Sequence, residues 1–199
     1  MRLFIALDID DEIRERIARF AEGVSGFAPD ARWTRPDSLH VTLKFIGEQA
    51  EPILEEINGA LGTIAASEVA LQFRGYGFFP TAKAPRVFWI GIEAGPELAT
   101  LAVAVDQQSA HLGVPKEDRA FSPHLTLARG GVRGTRSSGS PHQHKEDRPN
   151  RSFERLQEKL AALPTPEFGT MTAHEFFLYQ SELGRGGSRY TKLSRFALK

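Results

Sequence analysis

Two short stretches carry residues able to move protons around an anion: His40-Val41-Thr42-Leu43 and His124-Leu125-Thr126-Leu127. Each sits in an apolar and β-branched run that reads as a strand, over residues 39–46 and 121–128. Alternate side chains of a strand share a face, about 6.5 Å apart. His40 and Thr42 therefore project to one side, and Val41 and Leu43 to the other. The second copy repeats the pattern. If the two strands lie side by side, two imidazoles and two hydroxyls face one small volume.

That set suits one phosphate. Opening a phosphodiester needs a proton removed from water and another given to the leaving oxygen. Imidazole titrates near neutral pH, so one neutral and one protonated ring can do both, each transfer worth about 10²–10⁴-fold. The threonine hydroxyls would donate to the non-bridging oxygens, where charge develops. The two motifs are nearly equivalent by inspection, so the residues alone leave acid and base unassigned. A lone strand histidine is more often structural. The recurrence points to a shared site, with Ser38-Leu39 or Ser122-Pro123 before each motif and a glycine after it.

Phe45 and Arg129 each occupy the fifth position after a motif histidine. Together they could clamp a nucleobase by stacking. Strict alternation from His40 sends Phe45 inward with Val41 and Leu43, unless the strand end at Ile46-Gly47 releases it. Lys44 is expected on the His40 face, as a source of positive charge or as a solvated edge residue. No metal or other cofactor is required. Asp8, Asp10 and Asp11 read as capping and solvated acids, His142 and His144 as solvated, and His111 and His174 as structural.

The 199 residues carry 25 Lys and Arg against 25 Asp and Glu, for zero formal net charge. A neutral chain does not advertise bulk nucleic-acid binding. It leaves room for a small anionic ligand or one RNA end in a local basic cleft. There are no cysteines, which excludes disulfides, thiolate catalysis and cysteine-ligated zinc. The opening Met-Arg-Leu-Phe-Ile-Ala-Leu-Asp is too short an apolar run for a secretion signal, and no stretch is long enough to span a bilayer. A soluble, cytoplasmic monomer is expected.

Strands are expected over residues 2–9, 69–79, 87–93, 167–171, 175–182 and 190–198, and a short extended piece at 32–34. Helices are expected from Asp10 or Asp11 to about residue 24, then over 51–66, 96–112 and 151–163. Residues 130–150 turn to Gly, Ser, Arg and His without apolar periodicity, so a mobile surface loop is expected there. The motifs lie 84 residues apart and suit two related lobes. The expected fold is α+β and bilobal within one domain, residues 1–199. Two pseudo-symmetric antiparallel sheets would carry helices on their outer faces and enclose a central cleft.

The pair HVTLKFIG and SPHLTLARG, with the opening MRLFIALDI, resembles the two-histidine phosphoesterase superfamily. It is most similar to the bacterial and archaeal RNA 2′,3′-cyclic phosphodiesterase branch, historically called 2′-5′ RNA ligase. The resemblance covers nearly the whole chain outside residues 130–150. It implies metal-independent hydrolysis of 2′,3′-cyclic phosphate ends, on RNA or nucleotides, to 2′-phosphate. It implies His40 as proton donor and His124 as proton acceptor. Thr42 and Thr126 would hold the phosphate, and Phe45 and Arg129 would sandwich the terminal base. Two other functions fit the same residues. One is net 2′-5′ ligation, which uses the site in reverse. The other is a non-catalytic nucleotide-binding module.

Overall fold

The first strand, β1 (Arg2–Leu7), is buried along all but its first residue. Leu3, Ile5 and Leu7 enter the main hydrophobic core, while Phe4 and Ala6 join Tyr179 in a second cluster on the opposite face. A strand apolar on both faces belongs in the middle of a sheet. Burying each Leu or Ile contributes roughly 1.5–3 kcal/mol, so a one-residue slip of β1 would be costly.

The computed structural model describes residues 1–130, 151–184 and 187–199. After β1 come α1 (Asp11–Ser25), β2 (Arg32–Trp33), β3 (Val41–Glu48), α2 (Leu54–Gly62), β4 (Val69–Phe79), β5 (Val87–Ala94), α3 (Pro96–His111) and β6 (His124–Arg129). Then follow α4 (Glu154–Ala161), β7 (Glu167–Ala173), β8 (Glu175–Gly184) and β9 (Gly187–Ala197). Asp10 is the N-cap of α1 but makes no side-chain capping bond. Asp11 and Glu12 fill the first turn, where the helix dipole favours negative charge. The helix expected over 51–66 is shorter. Glu51–Ile53 is a 3₁₀ turn, and the α-helix that follows ends at Gly62. The loop expected at 130–150 lies outside the described residues from 131 onward.

Two antiparallel sheets form, in the orders β3-β1-β8-β9 and β2-β6-β5-β4-β7. The sequence suggests lobes that follow one another along the chain, and the structure interleaves them. The first sheet draws β1 and β3 from the start and β8 and β9 from the end. The short β2 crosses to pair with β6 in the second sheet. One continuous core joins both sheets to the helices. It includes Leu3 and Ile5 of β1, Ile13 and Ile17 of α1, Phe73 of β4, Phe88 of β5, Leu101 and Val105 of α3, and Leu156 of α4. No helix among the described residues is long and apolar enough to cross a membrane.

Strand β3 is an edge of the first sheet, and β6 lies one short strand from the edge of the second. The two motif strands approach each other where the sheets meet.

Both motif strands carry a bulge at the residue after the threonine. In β3, Thr42 faces Ala6 while Lys44 faces Ile5, so Leu43 is the extra residue. In β6, Thr126 faces Trp89 while Ala128 faces Phe88, so Leu127 is extra. A bulge of this kind puts two residues opposite one and inverts the alternation beyond it. Thr42 and Phe45 therefore share a face, as do Thr126 and Arg129. This corrects the alternation read from the sequence. Phe45 is 56% exposed, whereas Lys44 points into the protein and is only 3% exposed. Lys44 lends nothing to the His40 face. Its ammonium donates to Asp106 at 2.7 Å, Glu117 at 3.2 Å and the Pro115 carbonyl at 2.7 Å, tying β3 to α3 and the segment after it.

Candidate active site

The two motif histidines are held in the same way. Nδ1 of His40 lies 2.8 Å from the Ser38 carbonyl, and Nδ1 of His124 lies 2.7 Å from the Ser122 carbonyl. A carbonyl only accepts, so each Nδ1 carries the hydrogen and each Nε2 is left to exchange a proton. The carbonyl in each case belongs to the residue two positions earlier. Each histidine thus sits at the mouth of its strand with its tautomer set by its own backbone.

Aromatic rings back both imidazoles. Phe4 lies 4.8 Å from the His40 ring centroid, Tyr190 packs edge-on at 5.1 Å, and Tyr179 lies at 6.2 Å. Phe79 meets His124 edge-on at 4.9 Å, and Trp89 lies at 6.2 Å. Trp89 can lie flat on the neighbouring strand because residue 77 is glycine; a Cβ there would collide with the indole. None of these five aromatics stands out in the sequence as a partner of a motif. Their positions follow from cross-strand register, with Phe4 opposite Phe45, Tyr179 opposite Phe4, and Trp89 opposite Thr126.

The rings sit in a desolvated, cationic setting. Burial pushes His40 down to about 4; the Ser38 carbonyl and the Asp8 charge act upward, and Arg129 and Arg14 act downward. Burial also lowers His124; the Ser122 carbonyl opposes this, and Arg129 adds to it. One guanidinium, that of Arg129, is thus felt by both imidazoles, although the motifs belong to different sheets. Burial thus favours the neutral form of both rings, and a nearby anion would favour the charged form.

An open cavity of about 410 Å³ adjoins His40. Its walls include Asp8, Arg14, Tyr179, Tyr190 and Lys192. His124 does not line it. Arg14 binds this corner together. It donates to the carbonyls of Pro36, Leu39 and Ile9 and, at 2.6 Å, to Asp8. It thereby ties the segment leading into His40 to the end of β1 and the start of α1. Asp8 also accepts from Lys192 and from the Ile9 backbone N–H. Burial pushes the Asp8 carboxyl up, but the Lys192 bond, the Ile9 bond and the charges of Lys192 and Arg14 prevail and hold it below the usual range. The sequence offers Asp8 as a capping or solvated acid; its place beside His40 depends on pairing with β3 and β8.

Among the described residues, no three His, Asp or Glu side chains gather closely enough to hold a metal ion. His174 is exposed and pairs with Glu68 at 2.5 Å, and His111 lies in the last turn of α3. Residues 142 and 144 are outside the described residues.

A family model described as LigT like Phosphoesterase matches residues 7–89. The chain is 33% identical over 196 residues to a protein of Archaeoglobus fulgidus named RNA 2′,3′-cyclic phosphodiesterase, covering 98% of this chain and 99% of the relative. The chain belongs to the LigT-like phosphoesterase family. An Escherichia coli relative of the same name is 30% identical over 200 residues, covering 99% of this chain and 96% of its own. Among solved structures of the family, E. coli LigT complexed with 3′-AMP superposes with a TM-score of 0.75 at 30% identity, covering 99% and 97% of the two chains. The LigT-like fold explains the interleaved sheets, since the similarity spans the chain from its first strand to its last.

Proposed function

We propose that this LigT-like phosphoesterase hydrolyses 2′,3′-cyclic phosphate at the ends of RNA or nucleotides, leaving a 2′-phosphate. The observation that carries the reading is the repeated local geometry. Two histidines are anchored through Nδ1 to the carbonyl two residues back, each stands at the start of a strand, and each strand is bulged after its threonine. The names of the family relatives support the substrate.

In this reading His124 takes a proton from the attacking water through Nε2, and His40 gives one to the departing O3′ through Nε2. The P–O3′ bond breaks as the new P–O bond forms. Thr42 and Thr126 hold the non-bridging oxygens. Phe45 and Arg129 follow their threonines on the same faces because of the bulges, and they clamp the terminal base. The guanidinium of Arg129 also stands near the developing negative charge. The setting this assumes is a soluble monomer in the cytoplasm.

The test is turnover of adenosine 2′,3′-cyclic phosphate in excess chelator, with products resolved as 2′-AMP or 3′-AMP. His40→Ala and His124→Ala should each lose activity by about 10²–10⁴-fold. Unchanged turnover in both variants would overturn the reading. A second reaction, with cyclic-ended RNA plus a 5′-hydroxyl oligonucleotide, measures ligation beside hydrolysis. A joined 2′-5′ product in excess over the 2′-phosphate would mean that the cleft works mainly in the opposite direction.

A further inference from the structure

The two motifs match in their anchors, bulges and aromatic backing, yet acid catalysis and base catalysis demand unlike partners. One carboxylate breaks the symmetry. The β1–β3 ladder pairs Ala6 with Thr42 and Leu7 with Val41, and one step further brings Asp8 level with His40. Asp8 and His40 line the same cavity, and the negative charge of Asp8 is felt at the His40 ring. Among the described residues no carboxylate acts on His124, whose one charged influence there is Arg129.

The other groups facing His40 come from five further elements. Arg14 of α1 and Arg129 of β6 disfavour its protonation, and Lys192 of β9 is bonded to Asp8. Asp37, in the turn before β3, is spoken for by Arg35. Burial and the Asp8 charge raise the Tyr179 hydroxyl far above its ordinary range, so it stays neutral. Tyr190 meets the ring by its edge. Asp8, although bonded to Arg14 and Lys192, is therefore the carboxylate whose negative potential reaches this ring.

We propose that Asp8 is the positioning residue that equips His40 as the acid: it faces that ring across the cavity and offsets part of the cost of charging it, with Lys192 setting how much of its charge the ring feels. The proposal rests on the hydrolytic reading above, with the proton passing from His40 Nε2 to O3′. Lys192 also lies over the Phe177 ring at 4.2 Å, which fixes its ammonium beside Asp8. Arg14 holds the opposite side of the same carboxylate.

The experiment follows histidine side-chain nitrogens by NMR through a pH titration of the full chain saturated with inorganic phosphate. His40→Gln and His124→Gln variants assign the two signals. Asp8→Asn should lower the His40 midpoint by about one unit while leaving His124 in place, with kcat on adenosine 2′,3′-cyclic phosphate falling about tenfold at pH 7. Lys192→Met should move the His40 midpoint the other way. This opposite shift does not depend on the fold surviving Asp8→Asn. Midpoints that move together, or that stay fixed in both variants, would overturn the proposal. The hydrolytic reading would survive that outcome as long as His40→Gln and His124→Gln remained inactive.

Discussion

The strongest consequence of the cleft's electrostatics is that free and occupied enzyme should differ in pH dependence. Burial holds His40 near 4 and lowers His124 as well. In the proposed reaction a cyclic phosphate brings one negative charge between them. At about 4 Å and an effective dielectric constant of about 20, that charge is worth about 4 kcal/mol to an imidazolium, or about three pH units. Substrate should thus lift His40 from about 4 toward neutrality, and His124 with it. The profile of kcat/KM reports the free protein and that of kcat the complex. Both should be bell-shaped, with limbs belonging to the coupled pair. The kcat bell should sit about one to three units higher. The assay is initial rates on adenosine 2′,3′-cyclic phosphate between pH 4 and 9, with both constants fitted at each pH. Inorganic phosphate gives an independent reading, since its binding should draw protons into the site and weaken as pH rises from 5 to 8. Profiles of kcat and kcat/KM that coincide would refute the argument, because the anion would then not be reaching the histidines.

Three further outcomes are expected. Phe45 is more than half exposed, so Phe45→Ala should cost little stability, under about 1 kcal/mol by thermal melting, while raising KM for cyclic nucleotides more than it lowers kcat. Asp106→Ala removes the closest carboxylate of the buried Lys44 ammonium and should cost about 2–3 kcal/mol in urea unfolding; Lys44→Met, which leaves a partly exposed carboxylate instead, should cost less. The folded-state value of His40 lies below its unfolded value, so its contribution is present above about pH 6.5 and is lost as pH falls through about 4. Between pH 7 and pH 5 this amounts to about 2 kcal/mol, and His40→Ala should flatten that part of the stability curve in paired urea melts.

Much of the fold was legible because its strands carry their burial in their composition. The apolar run at 3–7 reads as a buried strand and becomes the centre of a sheet, and the hairpin of β4 and β5 lies where the periodicity puts it. The histidine and threonine pairs were legible too, because their repetition is a one-dimensional signal. The faces beyond them were not. Parity counting holds only while every residue has one partner across the ladder, and nothing in the composition of Leu43 or Leu127 announces that each is an extra residue. The error therefore fell at the next residues. Alternation alone put Lys44 on the chemical face and sent Phe45 inward unless the strand end released it, whereas Lys44 is buried and Phe45 exposed.

The interleaving of the sheets has the same origin and a larger effect. β1 at one end of the chain pairs with β8 near the other, and β8 in turn with β9, which brings Asp8 to Lys192 across 184 positions of sequence. Local patterns hold no record of it. Yet that pairing sets the surroundings of His40, bringing Tyr179, Tyr190 and Lys192 to one motif while the other receives Phe79 and Trp89 from the β4–β5 hairpin. The repeated motif fixes what each histidine can do. The unlike strands beside the two copies are what can give them different work: among the described residues, one imidazole stands near a carboxylate held between two cations, while the other stands near none. A reaction needing one proton donor and one acceptor requires that inequality, and here it comes from the ends of the chain rather than from the motifs themselves.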